Sequence, residues 1–267
     1  MKVAIYNNQE QKTLNVKKKL LDLLKPTKIE IDQKNPDLVI SIGGDGTLLG
    51  AFHAYQDLVD QVWFIGIHTG HLGFYTDWKV DELDTLVYSL IYKKPDVVDC
   101  PLLDVQIQYK NNDCAHLLAL NEATIRKNNG STEEADVFIN DKFFEKFRGD
   151  GLCFSTPTGS TAYNKSIHGA IIEPGINAFQ MTEIASLNNI AYRTLSAPIV
   201  LPATKKINIE LKECKNTYLT VDQLAIEQPI GHLQFSLSKH CIKFAHYRPQ
   251  EDFWDVVKRS FIGPQTL

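Results

Sequence analysis

Long hydrophobic runs are missing from this 267-residue chain. No stretch reaches the length that a bilayer-spanning helix requires. The opening Met1 to Tyr6 lacks the extended apolar core of a secretory leader, so no membrane is expected among its partners. A surplus of positive charge is missing too. The 28 Lys and Arg against 32 Asp and Glu leave a formal net charge of −4, whereas nucleic-acid binders draw much of their affinity from neutralising phosphates. No nucleic-acid partner is expected, and the Lys17, Lys18, Lys19 run reads as the solvated face of a helix. Cysteine is sparse: Cys100, Cys114, Cys153, Cys214 and Cys241 are odd in number and widely spaced. They lack the close pairs of a zinc site, and a fully oxidised framework would leave one over. Reduced thiols in a cytoplasmic protein are the consistent reading. No internal repeat is visible. The remaining composition, 43% hydrophobic and 22% charged, is that of a globular protein and excludes disordered and fibrous classes. The length allows two modest domains.

The first third alternates strand and helix signals. Lys2 to Tyr6 suits a buried strand, and Gln9 to Lys25 carries Leu14, Leu20, Leu21 and Leu24 at helical spacing before Pro26. Leu38 to Ile42 is a strand-like run leading into glycines; Leu48 to Tyr55 reads as a helix, Val62 to Ile67 as a strand and Val80 to Tyr92 as a helix. Such interleaving implies parallel strands joined by right-handed crossovers. After Pro95 the rhythm changes. Leu103 to Tyr109, Leu117 to Ile125, Val137 to Asn140 and Phe143 to Phe147 read as strands, with Asn140 and Asp141 as a tight turn. Ser160 to Gly169 and Ala178 to Leu187 read as helices, and short alternating runs return from Ile199 to Tyr247. The strand series suits an antiparallel, sandwich-like domain. Glu251 to Ile262 is amphipathic, with Phe253, Trp254, Val257 and Phe261 on one side. The expected fold class is α/β plus all-β: an α/β domain over 1–99, a β-rich domain over 100–250, and the segment 251–267 returning to the first domain.

Ser41-Ile42-Gly43-Gly44-Asp45-Gly46-Thr47 leaves a buried strand and enters a helix, the place where open α/β sheets bind ligands. Glycines there let backbone N–H groups approach phosphate oxygens, and the helix N-terminus favours an anion. Asp45 is the odd member, because a carboxylate repels phosphate. It makes sense if it binds a hydroxyl about to attack phosphorus, which needs a base. The alternative is a glycine-rich turn whose Asp caps the helix beginning near Thr47. No Lys-Ser or Lys-Thr follows, so the loop is not a Walker A loop, and the third glycine of the dinucleotide fingerprint is missing.

A second cluster runs from Gly149-Asp150-Gly151 through a strand into Thr156-Pro157-Thr158-Gly159-Ser160-Thr161-Ala162-Tyr163. Ser160 or Thr161 could cap the next helix while free N–H groups and hydroxyls address a polar ligand. Tyr163 offers a flat face for a base, and Asp150 could accept from a ribose hydroxyl or an amide. The alternative is a Ser/Thr-rich surface loop.

Gly43-Gly44-Asp45-Gly46-Thr47, Asn121-Glu122 and the string Thr156 to Tyr163 stand in the order, and at intervals, similar to those of NAD kinases. His68-Thr69-Gly70-His71-Leu72-Gly73-Phe74 looks like that family's loop after the next strand. The glycine loop alone is shared with diacylglycerol, sphingosine and 6-phosphofructokinases; the Thr156 to Tyr163 string is the specific part. The resemblance covers nearly the whole chain and points to the Gram-positive bacterial branch. It implies a Rossmann-like α/β N-terminal domain and a β-rich, sandwich-like C-terminal domain that binds NAD. It also implies transfer of a phosphoryl group from ATP or polyphosphate, with Mg²⁺ or Mn²⁺ on the donor oxygens, to the 2′-hydroxyl of the adenosine ribose of NAD.

By the same resemblance Asp45 is the general base, Gly44 and Gly46 hold donor phosphates, and Phe74 covers a base. Asn121 addresses adenine and Glu122 accepts from ribose hydroxyls. Asp150 meets the nicotinamide end with Ala162 close by, and Thr161, Tyr163 and Ser166 line the adenine site. Arg148, Ala185, Tyr192, Asp222 and Gln223 complete the substrate-binding set, and no dedicated metal cage is visible. The family forms dimers or tetramers, and Tyr192 is the candidate for a residue lent by a neighbouring subunit. His68 stands where Asn is frequent, and Asp222-Gln223 replaces the usual Asp-Gly-Gln. His68 and His71 read as loop-structuring. The competing readings are a diacylglycerol-type lipid kinase and a non-catalytic NADP sensor.

Overall fold

A computed structural model describes residues 1–70, 72–190 and 192–263. His71 and the last four positions of the segment 251–267 lie outside the described residues. The chain divides into two compact units: Met1–Cys100 with the chain from Cys241 onward, and Pro101–His240.

The first unit opens with β1 (Lys2–Asn7), α1 (Gln11–Leu24), β2 (Glu30–Ile31), β3 (Leu38–Gly43), α2 (Asp45–Ala54), β4 (Trp63–His68), β5 (Trp78–Lys79) and α3 (Leu83–Tyr92). The strands form a parallel sheet in the order β4-β3-β1-β2, with Val3 opposite Leu38 and Gly43 opposite His68. β3 is buried along its whole length, as expected for a strand covered on both faces. Leu38, Ile40 and Ile42 pack with Val16, Leu20 and Leu24 of α1 and Leu83, Leu86 and Leu90 of α3, while α2 lies against β1 and β3. α2 starts at Asp45, three residues before the expected Leu48. Thr47 N–H and Leu48 N–H both donate to Gly44 O, so the glycine loop is already the first helical turn.

The second unit contains β6 (Asp96–Tyr109, which begins in the first unit), β7 (Cys114–Ala119), β8 (Glu122–Lys127), β9 (Glu133–Ile139), β10 (Lys142–Gly149) and β11 (Gly151–Ser155). A 3₁₀ turn (Thr158–Thr161) and α4 (Tyr163–Ser166) follow. Then come β12 (Ala178–Ile184), β13 (Ile199–Pro202), β14 (Lys206–Leu211), β15 (Thr217–Val221), β16 (Leu224–Ile226) and β17 (Ile230–His246). Strands β13-β12-β11-β8-β15-β16 form one antiparallel sheet. In this unit β10-β9-β14-β17 form another, with β6 beside β17 and antiparallel to β7. The inner faces share one core that includes Leu103, Val137, Phe147, Phe179 and Ile207. At its centre Phe154 of β11 stacks on Phe235 of β17, with ring centroids 3.7 Å apart.

Three expectations are overturned in this unit. Ala178 to Leu187 is not a helix but β12, hydrogen-bonded between β11 and β13; both its faces are buried, so the period-2 signal is lost. Ser160 to Gly169 holds only the 3₁₀ turn and the one-turn α4. α4 ends at Ser166 with Ile167 as its C-cap, and His168 beyond it is left-handed at φ 65. Neither Ser160 nor Thr161 caps α4; its N-cap is Ala162, without a side-chain bond. Leu117 to Ile125 is two strands, broken at Leu120-Asn121.

β17 leaves the second unit and ends in the first, where Lys243 and Phe244 pair in parallel with Trp63 and Phe64 of β4. α5 (Phe253–Phe261) follows, capped by Asp252, whose carboxylate accepts from Trp254 N–H at 2.9 Å. No described helix is long and apolar enough to cross a membrane.

Candidate active site

In the first unit, the carboxyl ends of the parallel strands present the glycine loop and the loop after β4. Gly44 is the N-cap of α2 and Asp45 its first residue, yet the Asp45 side chain does not cap its own helix. Its carboxylate turns to the neighbouring loop, where Phe74 N–H donates to Oδ2 at 2.9 Å and Tyr75 N–H to Oδ1 at 3.1 Å. Burial raises its pKa above the ordinary carboxylate value, against these two donors and the nearby His68. Gly73 makes the approach possible: a Cβ there would stand 2.1 Å from Asp45 Oδ1. At Gly44 and Gly46 a Cβ would meet no protein atom within 4 Å, so packing inside the chain does not explain those two glycines. The Phe74 ring stacks on Phe261 of α5 at 5.7 Å.

In the second unit, Asn121 lies in the break between β7 and β8 and Glu122 opens β8. The break is held from a hundred residues away. Asp222, at φ 50 in the two-residue turn between β15 and β16, accepts through its carboxylate from Leu120 N–H at 2.9 Å, Asn121 N–H at 2.8 Å and Glu122 N–H at 3.2 Å. The other side is held by the hydroxyl string. Thr156 and Thr158 hydroxyls donate to Leu120 O at 2.6 and 3.1 Å, and a Cβ at Gly159 would lie 2.0 Å from Asn121 O. The Glu122 carboxyl is hydrogen-bonded by Tyr163 N–H, and its Oε2 is buried without a partner. Burial, then the charge of Asp222, push its pKa up to about 8 against the Tyr163 N–H.

Tyr163 reaches along β8, where Arg126 Nη1 donates to its hydroxyl at 3.3 Å. Glu122 and Arg126 share one face of the strand, four residues apart. Thr161 is buried and donates to Thr158 O at 3.2 Å, Ala162 N–H donates to Gly159 O, and Ser166 donates to Tyr163 O at 2.7 Å. At the opposite end of β11, exposed Asp150 donates its N–H to Ile184 O, beside Ala185 at φ 46. Arg148 donates to Glu134 at 2.8 Å, and its guanidinium lies 4.0 Å from the centre of the Tyr192 ring. Gln223 is exposed in the turn beside Asp222.

The second unit thus brings together Asn121, Glu122, Thr161, Ala162, Tyr163 and Asp222 at one end of its sheet. Arg148, Asp150, Ala185 and Tyr192 cluster at the other, so Ala162, expected close to Asp150, stands instead at the Glu122 end. Sequence reasoning missed Tyr75, Gly73 and Arg126. The loop pattern around Phe74 offered a hint of the first two, whereas a lone Arg on a strand offered none for the third. Among the described residues no group of three His, Cys, Asp or Glu side chains converges as a metal cage.

Comparison with known proteins agrees on both halves. The sequence model of the ATP-NAD kinase N-terminal domain matches residues 4–94, and that of the ATP-NAD kinase C-terminal domain matches residues 120–243. The chain is 53% identical over 265 residues to the NAD kinase of Enterococcus faecalis, covering 98% of this chain and 99% of that one. It is 49% identical over 270 residues to the NAD kinase of Levilactobacillus brevis, covering all of both. The fold is shared with yeast NADH kinase complexed with NADH (TM-score 0.85, 20% identity, 100% of this chain and 89% of that one). It is shared also with an NAD kinase from Archaeoglobus fulgidus in complex with ATP (TM-score 0.76, 20% identity, 97% and 98%). With both domains matched and half the residues identical across full-length relatives, this chain belongs to the NAD kinase family.

Proposed function

We propose that the chain transfers the terminal phosphoryl group of ATP, or of polyphosphate, to the 2′-hydroxyl of the adenosine ribose of NAD, giving NADP. The observation that carries this reading is Glu122. A carboxyl with one buried, unpartnered oxygen, beside Asn121 in a turn clamped by Asp222, suits a substrate that donates hydroxyls. A ligand lacking them would leave the acceptor unpaired, which is the strongest form of discrimination. Asn121 addresses the adenine, with Thr161, Ala162, Tyr163 and Ser166 around it. Asp150, with Ala185, takes the nicotinamide end, and Arg148, Tyr192 and Gln223 border the substrate. From Ser155, opposite Glu122, to Gly151, opposite Arg126, β11 spans about 13 Å at ~3.3 Å per residue, room for the two halves of a dinucleotide.

Asp45 takes the proton of the 2′-hydroxyl as that oxygen bonds to phosphorus. The bond from phosphorus to the departing oxygen breaks, and its electron pair leaves with ADP or the shortened polyphosphate. The raised basicity of a buried Asp45 favours this transfer. Gly44 and Gly46, open above the first turn of α2, let donor oxygens reach the backbone N–H groups, and Phe74 borders the reacting end. Magnesium or manganese bound to the donor supplies charge neutralisation. We place the reaction in the cytoplasm, a reading supported by five free cysteines. We expect a homodimer or homotetramer, supported by the exposed Leu187, Ile190 and Leu195 near Tyr192.

Incubation with NAD, ATP and Mg²⁺ should yield NADP. Binding of NADP without turnover would instead indicate a sensor, and inertness toward NAD with activity on diacylglycerol would indicate a lipid kinase.

A further inference from the structure

His68 ends β4 directly opposite Gly43, the residue that opens the glycine loop, and Thr69 N–H donates to Gly43 O. Its side chain is only 9% exposed. Nδ1 lies 2.9 Å from Gly70 O; a carbonyl only accepts, so the proton sits on Nδ1. Nε2 is buried and has no partner. A buried polar atom left unpaired is costly unless something else meets it.

The surroundings say what would meet it. Gly66 and His68 are two residues apart on one strand and share a face. At Gly66 that face is covered by Tyr75 and Thr76: a Cβ there would lie 2.5 Å from Tyr75 O. The same segment supplies the Tyr75 N–H that holds Asp45, and His68 is close enough for its charge to act on that carboxylate. His68, Asp45 and the N-terminus of the ten-residue α2 therefore converge at one edge of the parallel sheet.

We propose that His68 is a further donor-binding residue, whose unpartnered Nε2 hydrogen-bonds an oxygen of the polyphosphate at the glycine loop. This rests on the phosphoryl-transfer reading above and adds a contact to it. The two ring nitrogens can be separated by substitution, because Asn reproduces the position of Nδ1 and Gln that of Nε2. His68→Asn keeps the bond to Gly70 and should lower kcat/KM for ATP about 10- to 100-fold, the range for one hydrogen bond to a charged group, while KM for NAD stays within about twofold. His68→Gln should retain most of the wild-type kcat/KM for ATP. A purely structural imidazole predicts the reverse order, and that order, or two unaffected variants, overturns the proposal. Should both variants lose activity, the ¹⁵N resonance of His68 Nε2 in the intact protein decides. It should move on addition of inorganic tripolyphosphate with Mg²⁺, and a resonance that stays in place at saturation overturns the contact. Wild-type protein that makes no NADP yet shows the resonance shift would sink the NAD reading and leave the phosphate contact standing.

Discussion

In the parallel α/β unit both oxygens of Asp45 are engaged, by the N–H groups of Phe74 and Tyr75, whereas in the antiparallel unit Glu122 keeps one oxygen buried and unpaired. The first carboxylate is fixed in direction before any ligand arrives. In the proposed reaction the second is completed by a ligand that supplies hydrogen-bond donors. A group that must move a proton gains from fixed aim, and a group that must recognise a substrate gains from an unmet need. Local architecture supports the division. A strand-to-helix turn delivers Asp45 on a rigid helix start, while a break between two strands, clamped from the turn between β15 and β16, places Glu122 at a sheet end.

The sharpest way to break this contrast is Asp45→Asn. It keeps the shape and should lower turnover by about 10²–10⁴-fold while the protein stays folded; near-normal turnover removes Asp45 as the base. Next is Gly73→Ala, whose new methyl would lie 2.1 Å from Asp45 Oδ1 and must push the carboxylate aside. Turnover should fall by roughly 10²-fold, the scale of an ångström's misplacement, with NAD affinity untouched; loss of NAD affinity would mean that aim is not what Gly73 protects.

Glu122 is tested by pH. Its folded pKa of about 8 leaves the neutral form dominant below that value. Affinity for NAD should therefore weaken as pH falls from 8 to 6.5, approaching tenfold per unit, and Glu122→Gln should abolish the trend. Calorimetric titration in buffers of different ionisation enthalpy should also register proton release on binding in the wild type. A flat profile in the wild type would contradict a carboxylate awaiting hydroxyls.

The smallest effect concerns a carboxyl pair with only a structural task. Glu145 on β10 accepts from Leu195 N–H at 2.9 Å, and Glu183 on β12 accepts from Ser196 N–H at 3.1 Å and from the Thr194 hydroxyl at 2.8 Å. Burial, opposed by Leu195 N–H and reinforced by Glu183, pushes the Glu145 pKa up to about 7. The folded state then holds a proton that the unfolded chain releases near pH 4.5. Stability should fall as pH rises from about 4.5 to about 7 and level off above, by on the order of 2–3 kcal/mol. For a chain of this size that amounts to several degrees in Tm. Glu145→Gln should flatten the slope across that window; an unchanged slope assigns the proton elsewhere.

What the sequence made legible follows from local physics. Short apolar runs located β1, β3 and β4, and helical spacing located α1 and α3, because a strand covered on both faces reads as a continuous apolar run and a helix marks the one face it buries. The glycine loop was visible as a strand-to-helix junction. What escaped was imposed from a distance. Ala178 to Ile184 carries helix-compatible Ala, Met and Glu, and only its place between β11 and β13 makes it a strand. The break at Asn121 divides a segment that reads as one strand because Asp222 captures three successive N–H groups. The partners of Asp45 lie 29 and 30 residues away. Asp222 was singled out by family likeness as a substrate residue, while its visible work is to hold the backbone on which Asn121 and Glu122 stand.

The path of β17 has a consequence for synthesis. The parallel sheet of the first unit gains the pairing of Lys243 and Phe244 with β4 only after residues 101–240 have been translated. Residues 1–100 must wait with the Trp63–Phe64 end of that side of β4 unpaired, since β5 covers only Ile67 and His68, and an unpaired strand edge invites aggregation. Nascent chains arrested before residue 241 should accordingly be more protease-sensitive at 1–100 than released protein.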